Sequence, residues 1–243
     1  SGVSFTASEK LTIAKLLLEE LHVDRIEIAS TRVSEGEFDA VKSITSWAEK
    51  KGLIDKIEVL SFVDGGLSIA WMENSGAKVQ NLLTKGSLNH LKHQLKKTPK
   101  EHFEAISKVI QLAQNRGIET NVYLEDWSNG MKNSPDYVYQ FLDFLETQKI
   151  KRVLLPDTLG VLTPRETFKF LSQIREKYPK MHLDFHGHND YDLGVANVME
   201  SIEAGVNGIH LTINGMGERA GNAPLASVVA VINDFILDAK TSI

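Results

Sequence analysis

Short apolar runs rich in Val, Ile and Leu alternate along the chain with longer amphipathic stretches. The short runs predict buried strands, and apolar positions three and four apart predict helices. The predicted strands are residues 24–29, 56–63, 77–84, 118–125, 150–156, 181–186 and 208–214. The predicted helices are residues 8–22, 36–51, 66–75, 99–116, 134–148, 164–178, 190–205 and 223–239. A short basic helix is also predicted at 87–97; it is expected to face solvent, and the alternative is a position near the site.

The ends of the predicted helices carry matching signals. Gly76, Gly117 and Gly205 stand where a helix ends just before a strand, the position at which glycine favours helix termination. Ser134 and Thr163 each precede a proline, which predicts a capping residue followed by the first helical position.

Strands separated by helices predict a parallel sheet covered on both faces. A doubly wound sheet and a (βα)8 barrel are the two candidates, and no G-x-G-x-x-G turn supports the former. The first predicted element is a helix, and the prediction contains seven strands but eight long helices. The sequence therefore predicts an α/β fold, a (βα)8 TIM barrel over residues 1–243, as one catalytic domain that lacks its first strand. That strand would precede Ser1.

Composition narrows the functional class. Of 243 residues, 42% are hydrophobic and 24% charged, the net charge is −5, and there is no cysteine. Disulfide scaffolds are thereby excluded, and the acidic balance gives no footprint for nucleic acid. No apolar run reaches the roughly 20 residues of a membrane span, and no signal peptide is expected. A cytoplasmic enzyme is expected, and its first residues, without a Met, predict that the chain starts inside a longer protein.

Catalytic groups of a barrel lie at the carboxyl ends of its strands. Two histidines, several carboxylates and a glycine-rich loop converge there. The polar residues at these ends are Ser30, Thr31, Ser61, Asp64, Thr84, Lys85, Glu125, Asp126, Asp157, Thr158, His186, His188, Asn189, Asp190 and Asn214.

His186 and His188 stand two apart in a strand-like stretch, so their side chains point the same way. Two such imidazoles can share a divalent ion such as Zn, Mn or Co. The alternative is that one caps a turn and the other binds a carboxylate. The remaining histidines lack such a pairing and are expected to have surface or packing roles; they are His22, His90, His93, His102, His182 and His210.

Two further features point to the same rim. Glu125 ends a strand beside Trp127, which suits a general acid or base, or alternatively a capping or ion-pairing carboxylate. The loop GMGERAGN at 215–222 contains three glycines. Its backbone N–H groups would suit an anion, although many glycine-rich loops are only turns.

The motifs FHGHND, LPDTLGVLTP and INGMGERAGN together resemble the 2-isopropylmalate, homocitrate and citramalate synthases, a family of metal-dependent TIM barrels. The resemblance implies a divalent ion (Zn, Mn, Co or Mg) held by His186, His188 and Asn222. It also implies a fourth ligand, the Asp of a first-strand Arg-Asp-Gly motif, and the charge-stabilising Arg beside it. This sequence contains neither, and both are expected on the missing strand.

The stretch NVYLEDWSNG resembles the (R)-citramalate synthases most. Tyr123, Leu60 and Leu83 would then fill the pocket around the methyl group of pyruvate, with barrel packing as the alternative role. Bulk is effective here, because a hydrophobic pocket discriminates one methylene by only about 1–3 kcal/mol. The implied reaction is condensation of acetyl-CoA with pyruvate, followed by thioester hydrolysis, in branched-chain amino-acid biosynthesis.

The resemblance also implies residue roles. Glu125 would be the base and Thr158 would bind the substrate carboxylate. Asn214, Glu218 and Arg219 would line the entrance for CoA, and Glu27 is a second rim carboxylate without an assigned role. Small-molecule substrates and a homodimer are implied as partners. The alternatives are a 2-isopropylmalate or homocitrate synthase, an aldolase like the hydroxymethylglutaryl-CoA lyases, and a truncated barrel that binds metal or CoA without turnover.

Overall fold

The computed structural model describes residues 3–236 and contains one seven-stranded parallel sheet. Its strand order follows the chain from β1 to β7, so every crossover joins nearest neighbours. This sequential order with intervening helices is that of a TIM barrel. The strands are β1 (Ile26–Ser30), β2 (Ile57–Phe62), β3 (Val79–Lys85), β4 (Glu119–Glu125), β5 (Val153–Asp157), β6 (Leu183–Gly187) and β7 (Gly208–His210).

Helices separate consecutive strands and pack outside the sheet. Their bounds are α1 (Ala7–Lys15), α2 (Glu35–Lys51), α3 (Leu67–Ser75), α4 (Leu88–His90), α5 (Pro99–Gln114), α6 (Trp127–Asn133), α7 (Pro135–Glu146), α8 (Pro164–Lys177), α9 (Gly194–Glu203) and α10 (Leu225–Phe235). A π-helical turn follows α1 at Leu16–Glu20, and a second follows α4 at Leu91–Leu95. The predicted basic helix at 87–97 is thus confirmed.

Local sequence explains most helix ends. Thr163 accepts a hydrogen bond from Glu166 N while Glu166 reaches back to Thr163 N, a capping box that satisfies two donors at the start of α8. Gly76 ends α3 in the left-handed conformation, as predicted. Ser134 differs, because its hydroxyl makes no capping hydrogen bond to α7. It instead accepts a hydrogen bond from Leu88 N, which ties the start of α7 to α4.

Two elements differ from the prediction, and a third lies partly outside the described residues. β7 ends at His210 instead of residue 214, because Asn214 has a φ of 53° within a 3₁₀ turn at Ile213–Gly215 and cannot continue a strand. Helix α6 lies between the predicted strand 118–125 and the predicted helix 134–148, where no element is predicted. The last predicted helix, 223–239, is present as α10 up to Phe235, and its final residues lie outside the described part of the chain.

The sheet curls around a polar interior. Arg25, just before β1, donates to Asp184 of β6 at 2.9 Å, so strands at opposite ends of the sheet order approach each other. Glu58, Asn81 and Asn121 also lie buried inside this curve. The apolar core lies on the other face, between strands and helices. Seven strands of a TIM-barrel-like fold are therefore present in residues 3–236, and a first strand is not among them.

Within residues 3–236, no helix combines the length and the apolar character that a membrane crossing requires.

Candidate active site

The histidine pair lies at the carboxyl end of β6. His186 and His188 point to the same side, and their Nε2 atoms are 3.3 Å apart. Burial lowers the pKa of His186 well below its ordinary value, and the positive charge that His210 or His188 carries when protonated lowers it further. Burial and the charge of Arg219 also lower the pKa of His188. Both rings are therefore neutral near pH 7, the form in which an imidazole nitrogen binds a metal.

Asn222 completes a cluster of three side chains. It forms an isolated antiparallel bridge with His188, and its Nδ2 lies 3.3 Å from His186 Nε2. Amide oxygen and nitrogen are nearly equal in shape. A half-turn of the amide would therefore present Oδ1, the atom able to bind a cation, at the same point.

These three side chains fit a divalent ion. Two nitrogens that share one ion at about 2.0–2.1 Å lie roughly 3.0–3.4 Å apart, and the two Nε2 atoms are 3.3 Å apart. The Nδ1 atoms of both rings are buried without a hydrogen-bond partner. When the Nδ1 atoms carry the protons, the lone pairs of both Nε2 atoms point into the same space, and a cation bound there would stabilise this arrangement. Asn222 is needed in this set, because among residues 3–236 no group of three or more His, Cys, Asp and Glu side chains is placed to hold a metal.

The glycine-rich loop holds Asn222 in place. A Cβ on Gly217 would stand 1.9 Å from Asn222 Oδ1, so only glycine leaves room for this amide. Arg219 binds Asp190 through both carboxylate oxygens, at 2.7 and 2.9 Å, and donates to the carbonyl of Thr158 at 2.7 Å. The loops after β5, β6 and β7 are thereby joined by one guanidinium group.

Tyr123 forms a wall beside the histidines. It is 5% exposed, and its ring meets that of His186 edge-on, with centroids 5.9 Å apart. Its hydroxyl lies 2.8 Å from His210 Nδ1, and the His210 ring meets His186 at 5.8 Å. His210 was assigned a surface or packing role, and the structure places it within this cluster. Only the alternation of β7 could have signalled it, because His210 pairs in register with His186.

Glu125 lies at the end of β4 with a basic partner. Lys85, in register with it on β3, forms an ion pair with its carboxylate. Both side chains are largely buried, since that of Lys85 is 15% exposed and that of Glu125 is 23% exposed. Glu125 and Tyr123 stand two apart on the same strand, so both face the barrel interior. The expected ion-pairing alternative for Glu125 is therefore present, and its role as a base stays a prediction.

The Thr158 side chain is held in place by a hydrogen bond from Asp126. The backbone N–H of Asp126 donates to Thr158 Oγ1 at 2.8 Å, and Asp126 has a φ of 65°. Its carboxylate accepts hydrogen bonds from Ser87 at 2.6 Å and Asn129 at 2.7 Å. Since the Thr158 oxygen is the acceptor in this contact, its proton remains available to a ligand.

The predicted pocket residues differ in depth. Leu83 pairs in register with Tyr123, and both side chains face inward. Leu60 pairs in register with Asn81, which lies two residues before Leu83 on β3. Leu60 is therefore deeper in the barrel than Leu83. Both leucines are half-buried.

Four other predicted residues are spread more widely. Asn214 is exposed, and the Glu218 side chain is 84% exposed, so both lie on the outer side of the loop. Arg219 is engaged with Asp190. Glu27 is not at the rim: it lies near the start of β1, in register with Glu58, and accepts a hydrogen bond from Asn81. The prediction that Glu27 lies at the rim was wrong because Glu27 is the second residue of β1, three positions before the strand ends at Ser30.

The fold is that of a TIM-barrel-like α/β protein whose candidate site lies at the carboxyl ends of its strands. The chain belongs to the HMGL-like family, whose sequence pattern matches residues 1–242.

Individual relatives carry synthase names. A protein of Ignicoccus hospitalis named "Probable 2-isopropylmalate synthase" is 34% identical over 242 residues, covering 100% of this chain and 58% of that protein. The (R)-citramalate synthase of Methanocaldococcus jannaschii is 34% identical over 232 residues, covering 95% of this chain and 45% of that protein. The chain thus spans about half the length of the curated relatives it matches.

The same architecture occurs in a solved structure. The HMG-CoA lyase of Bacillus subtilis superposes with a TM-score of 0.81 and 19% identity, covering 99% of this chain and 83% of that one. At this identity the likeness shows the shared fold.

Proposed function

We propose that the chain is the catalytic barrel of a cytoplasmic acyltransferase that condenses acetyl-CoA with pyruvate to form (R)-citramalate and CoA. The observation that carries the proposal is the convergence of His186 and His188, with Nε2 atoms 3.3 Å apart, on the rim that also holds Glu125. The citramalate synthase relative, at 34% identity over 95% of the chain, supports the reaction class.

The choice of pyruvate rests on the wall formed by Tyr123 and Leu83. These bulky side chains stand side by side on β4 and β3, and Tyr123 abuts His186. A keto acid bound next to the histidines would place its alkyl group against this wall. A methyl group would fit there, whereas a branched chain would need the wall to move.

His186 and His188, through Nε2, and Asn222, through its amide oxygen, are the groups proposed to hold a divalent ion. When bound, the ion would supply a Lewis acid for the keto carbonyl. The identity of the ion is left open among Zn, Mn, Co and Mg.

The remaining steps belong to side chains of this chain. The Thr158 hydroxyl, whose proton is not used by Asp126, donates to the carboxylate of the keto acid. The Glu125 carboxylate removes a proton from the methyl group of acetyl-CoA. The resulting enolate carbon attacks the keto carbon, so that one C–C bond forms as the π bond of the keto C=O breaks, and the alkoxide oxygen takes up the proton from the Glu125 carboxyl group. Water then cleaves the thioester and releases the CoA thiol. Asn214, Glu218 and Arg219 remain proposed for the CoA entrance.

The test uses the protein at its full coded length, incubated with acetyl-CoA, pyruvate and a thiol reagent. Metal-dependent release of CoA is expected, and His186→Ala should lose both the release and the bound metal. His22→Ala, at an exposed histidine, is the matched control and should change neither. Unchanged metal content in His186→Ala would contradict the ligand assignment.

A second candidate is a 2-isopropylmalate synthase, supported by the Ignicoccus relative at 34% identity over the whole chain. The same assay separates the two when 2-ketoisovalerate competes with pyruvate. Faster CoA release with 2-ketoisovalerate would select the second candidate. Cleavage of 3-hydroxy-3-methylglutaryl-CoA without net CoA release would select a lyase instead.

A further inference from the structure

We propose that His210 is a positioning residue that determines keto-acid selectivity by fixing the ring of Tyr123. The inference rests on the proposed function and concerns the same site. It starts from the contact between Tyr123 on β4 and His210 on β7, which are 87 positions apart in the chain.

The contact is specific in geometry. The Tyr123 hydroxyl lies 2.8 Å from His210 Nδ1, and the two rings are nearly perpendicular, at 88°. His210 also meets His186 at 86° with centroids 5.8 Å apart. Tyr123, His186 and His210 therefore form a triangle of edge-to-face contacts, and His210 supplies its polar link to Tyr123.

Asp184 determines which nitrogen of His210 carries the proton. Asp184 pairs with Arg25 Nη2 at 2.9 Å and with Arg152 Nε at 3.5 Å. Beside two guanidinium groups it is a carboxylate, and its oxygens can only accept hydrogen bonds. His210 Nε2 lies 3.4 Å from its Oδ2, so the proton is on Nε2. Nδ1 is left as an acceptor, and the Tyr123 hydroxyl donates to it.

The consequence lies in the freedom of the Tyr123 ring. The Tyr123 hydroxyl is buried, so without His210 it would lack a hydrogen-bond partner. Because an unsatisfied buried hydroxyl is costly, turning the ring toward water would then be favoured. Such a turn would withdraw the wall that faces the alkyl group of the keto acid. Loss of the hydrogen bond should therefore admit larger keto acids, while the histidine pair stays in place.

Two substitutions of His210 separate its two hydrogen bonds. His210→Asn places an amide oxygen where Nδ1 stands and keeps the acceptor for Tyr123. His210→Gln places its amide where Nε2 stands, so it keeps the partner for Asp184 and loses the one for Tyr123. The measured quantity is the ratio of kcat/KM for pyruvate to kcat/KM for 2-ketobutyrate, in the full-length protein with its metal.

His210→Gln is expected to lower this ratio about tenfold, the effect of one lost buried hydrogen bond, whereas His210→Asn should change it less than about threefold. Tyr123→Phe removes the hydroxyl that would be left without a partner, so it should change the ratio less than about threefold, and adding His210→Gln to Tyr123→Phe should change it little further. A structural role alone would lower kcat/KM for both acids equally. Unchanged ratios in His210→Gln would overturn the inference.

A second measurement does not depend on activity. Nitrogen NMR of the imidazole groups should show His210 protonated at Nε2 and hydrogen-bonded at Nδ1, with the Nδ1 signal shifting in Tyr123→Phe. Protonation at Nδ1 would overturn the inference even in an inactive protein. Absence of CoA release from wild-type protein with any keto acid would instead refute the proposed function.

Discussion

Replacing Asp184 by Asn removes a fully buried carboxylate on which four basic side chains converge. Its side chain is 0% exposed, so water does not take over the lost contacts. Oδ2 lies 2.9 Å from Arg25 Nη2, 3.4 Å from His210 Nε2 and 3.5 Å from Arg152 Nε, while Oδ1 lies 2.9 Å from His182 Nε2.

The size of the effect follows from what remains. Removing one partner of a buried ion pair costs about 3–5 kcal/mol. Asn keeps the volume and one acceptor, and Glu58 still pairs with both Arg25 and Arg152. We therefore expect the free energy of unfolding to fall by about 3 kcal/mol, a large share of the roughly 5–15 kcal/mol typical of a folded protein.

Urea unfolding followed by tryptophan fluorescence at pH 7.5 measures this change. Asp143→Asn is the matched control, since Asp143 is 56% exposed and pairs with Lys177 at 3.1 Å on the surface. Its loss should cost less than about 1 kcal/mol. A loss below about 1 kcal/mol for Asp184→Asn as well would refute the reasoning that the interior carboxylate stabilises the barrel.

The same substitution has a pH signature. Because the folded-state pKa of Asp184 is depressed, its contribution is fully present above the unfolded value of about 3.9 and is lost as pH falls toward the folded value. The difference between wild type and Asp184→Asn should therefore persist from pH 8 to pH 5 and narrow only below about pH 4. A difference that vanishes already near pH 6 would assign the effect to another group.

Three further outcomes are expected. Gly217→Ala should weaken retention of a divalent ion about tenfold to a hundredfold in equilibrium dialysis, because the new Cβ displaces Asn222. Lys85→Met should lower kcat for CoA release about tenfold to a hundredfold with a smaller change in KM, because Glu125 loses the partner that holds it. Thr163→Ala should cost about 1 kcal/mol in urea unfolding through loss of the cap on α8.

Each outcome has a control. Gly36→Ala places a Cβ at an ordinary distance of 3.9 Å from Ser34 Oγ and should leave metal retention unchanged. Lys92→Met removes an exposed cation and should leave kcat unchanged. Thr163→Ser keeps a capping hydroxyl and most of the stability. Equal effects in a variant and its control would contradict the corresponding explanation.

Sequence periodicity predicted the strands well because parallel strands are buried on both faces and read as compact apolar runs. The spacing of His186 and His188 likewise placed both rings together, since alternation along a strand is a local property. β7 was predicted too long because the left-handed conformation of Asn214 depends on how the loop docks, and a single polar residue does not reveal that.

Contacts between strands required the structure. The pairing of Lys85 with Glu125 depends on the register of the neighbouring strands β3 and β4, and the pairing of Tyr123 with His210 depends on how strongly the sheet curls. Neither quantity can be read from one strand. The same holds for Arg219, which is proposed at the CoA entrance and also joins Asp190 to the loop after β5.

The strand order also bears on the rates at which the fold forms and is lost. Each strand pairs with its neighbour in the chain, so the sheet can grow one unit at a time with short loop closures. The pair of Arg25 and Asp184 joins residues 159 positions apart and forms only after the sheet has curled. Contacts that form after the rate-limiting step chiefly slow unfolding. We therefore expect the Arg25–Asp184 pair to lengthen the lifetime of the folded barrel more than it changes the rate of folding.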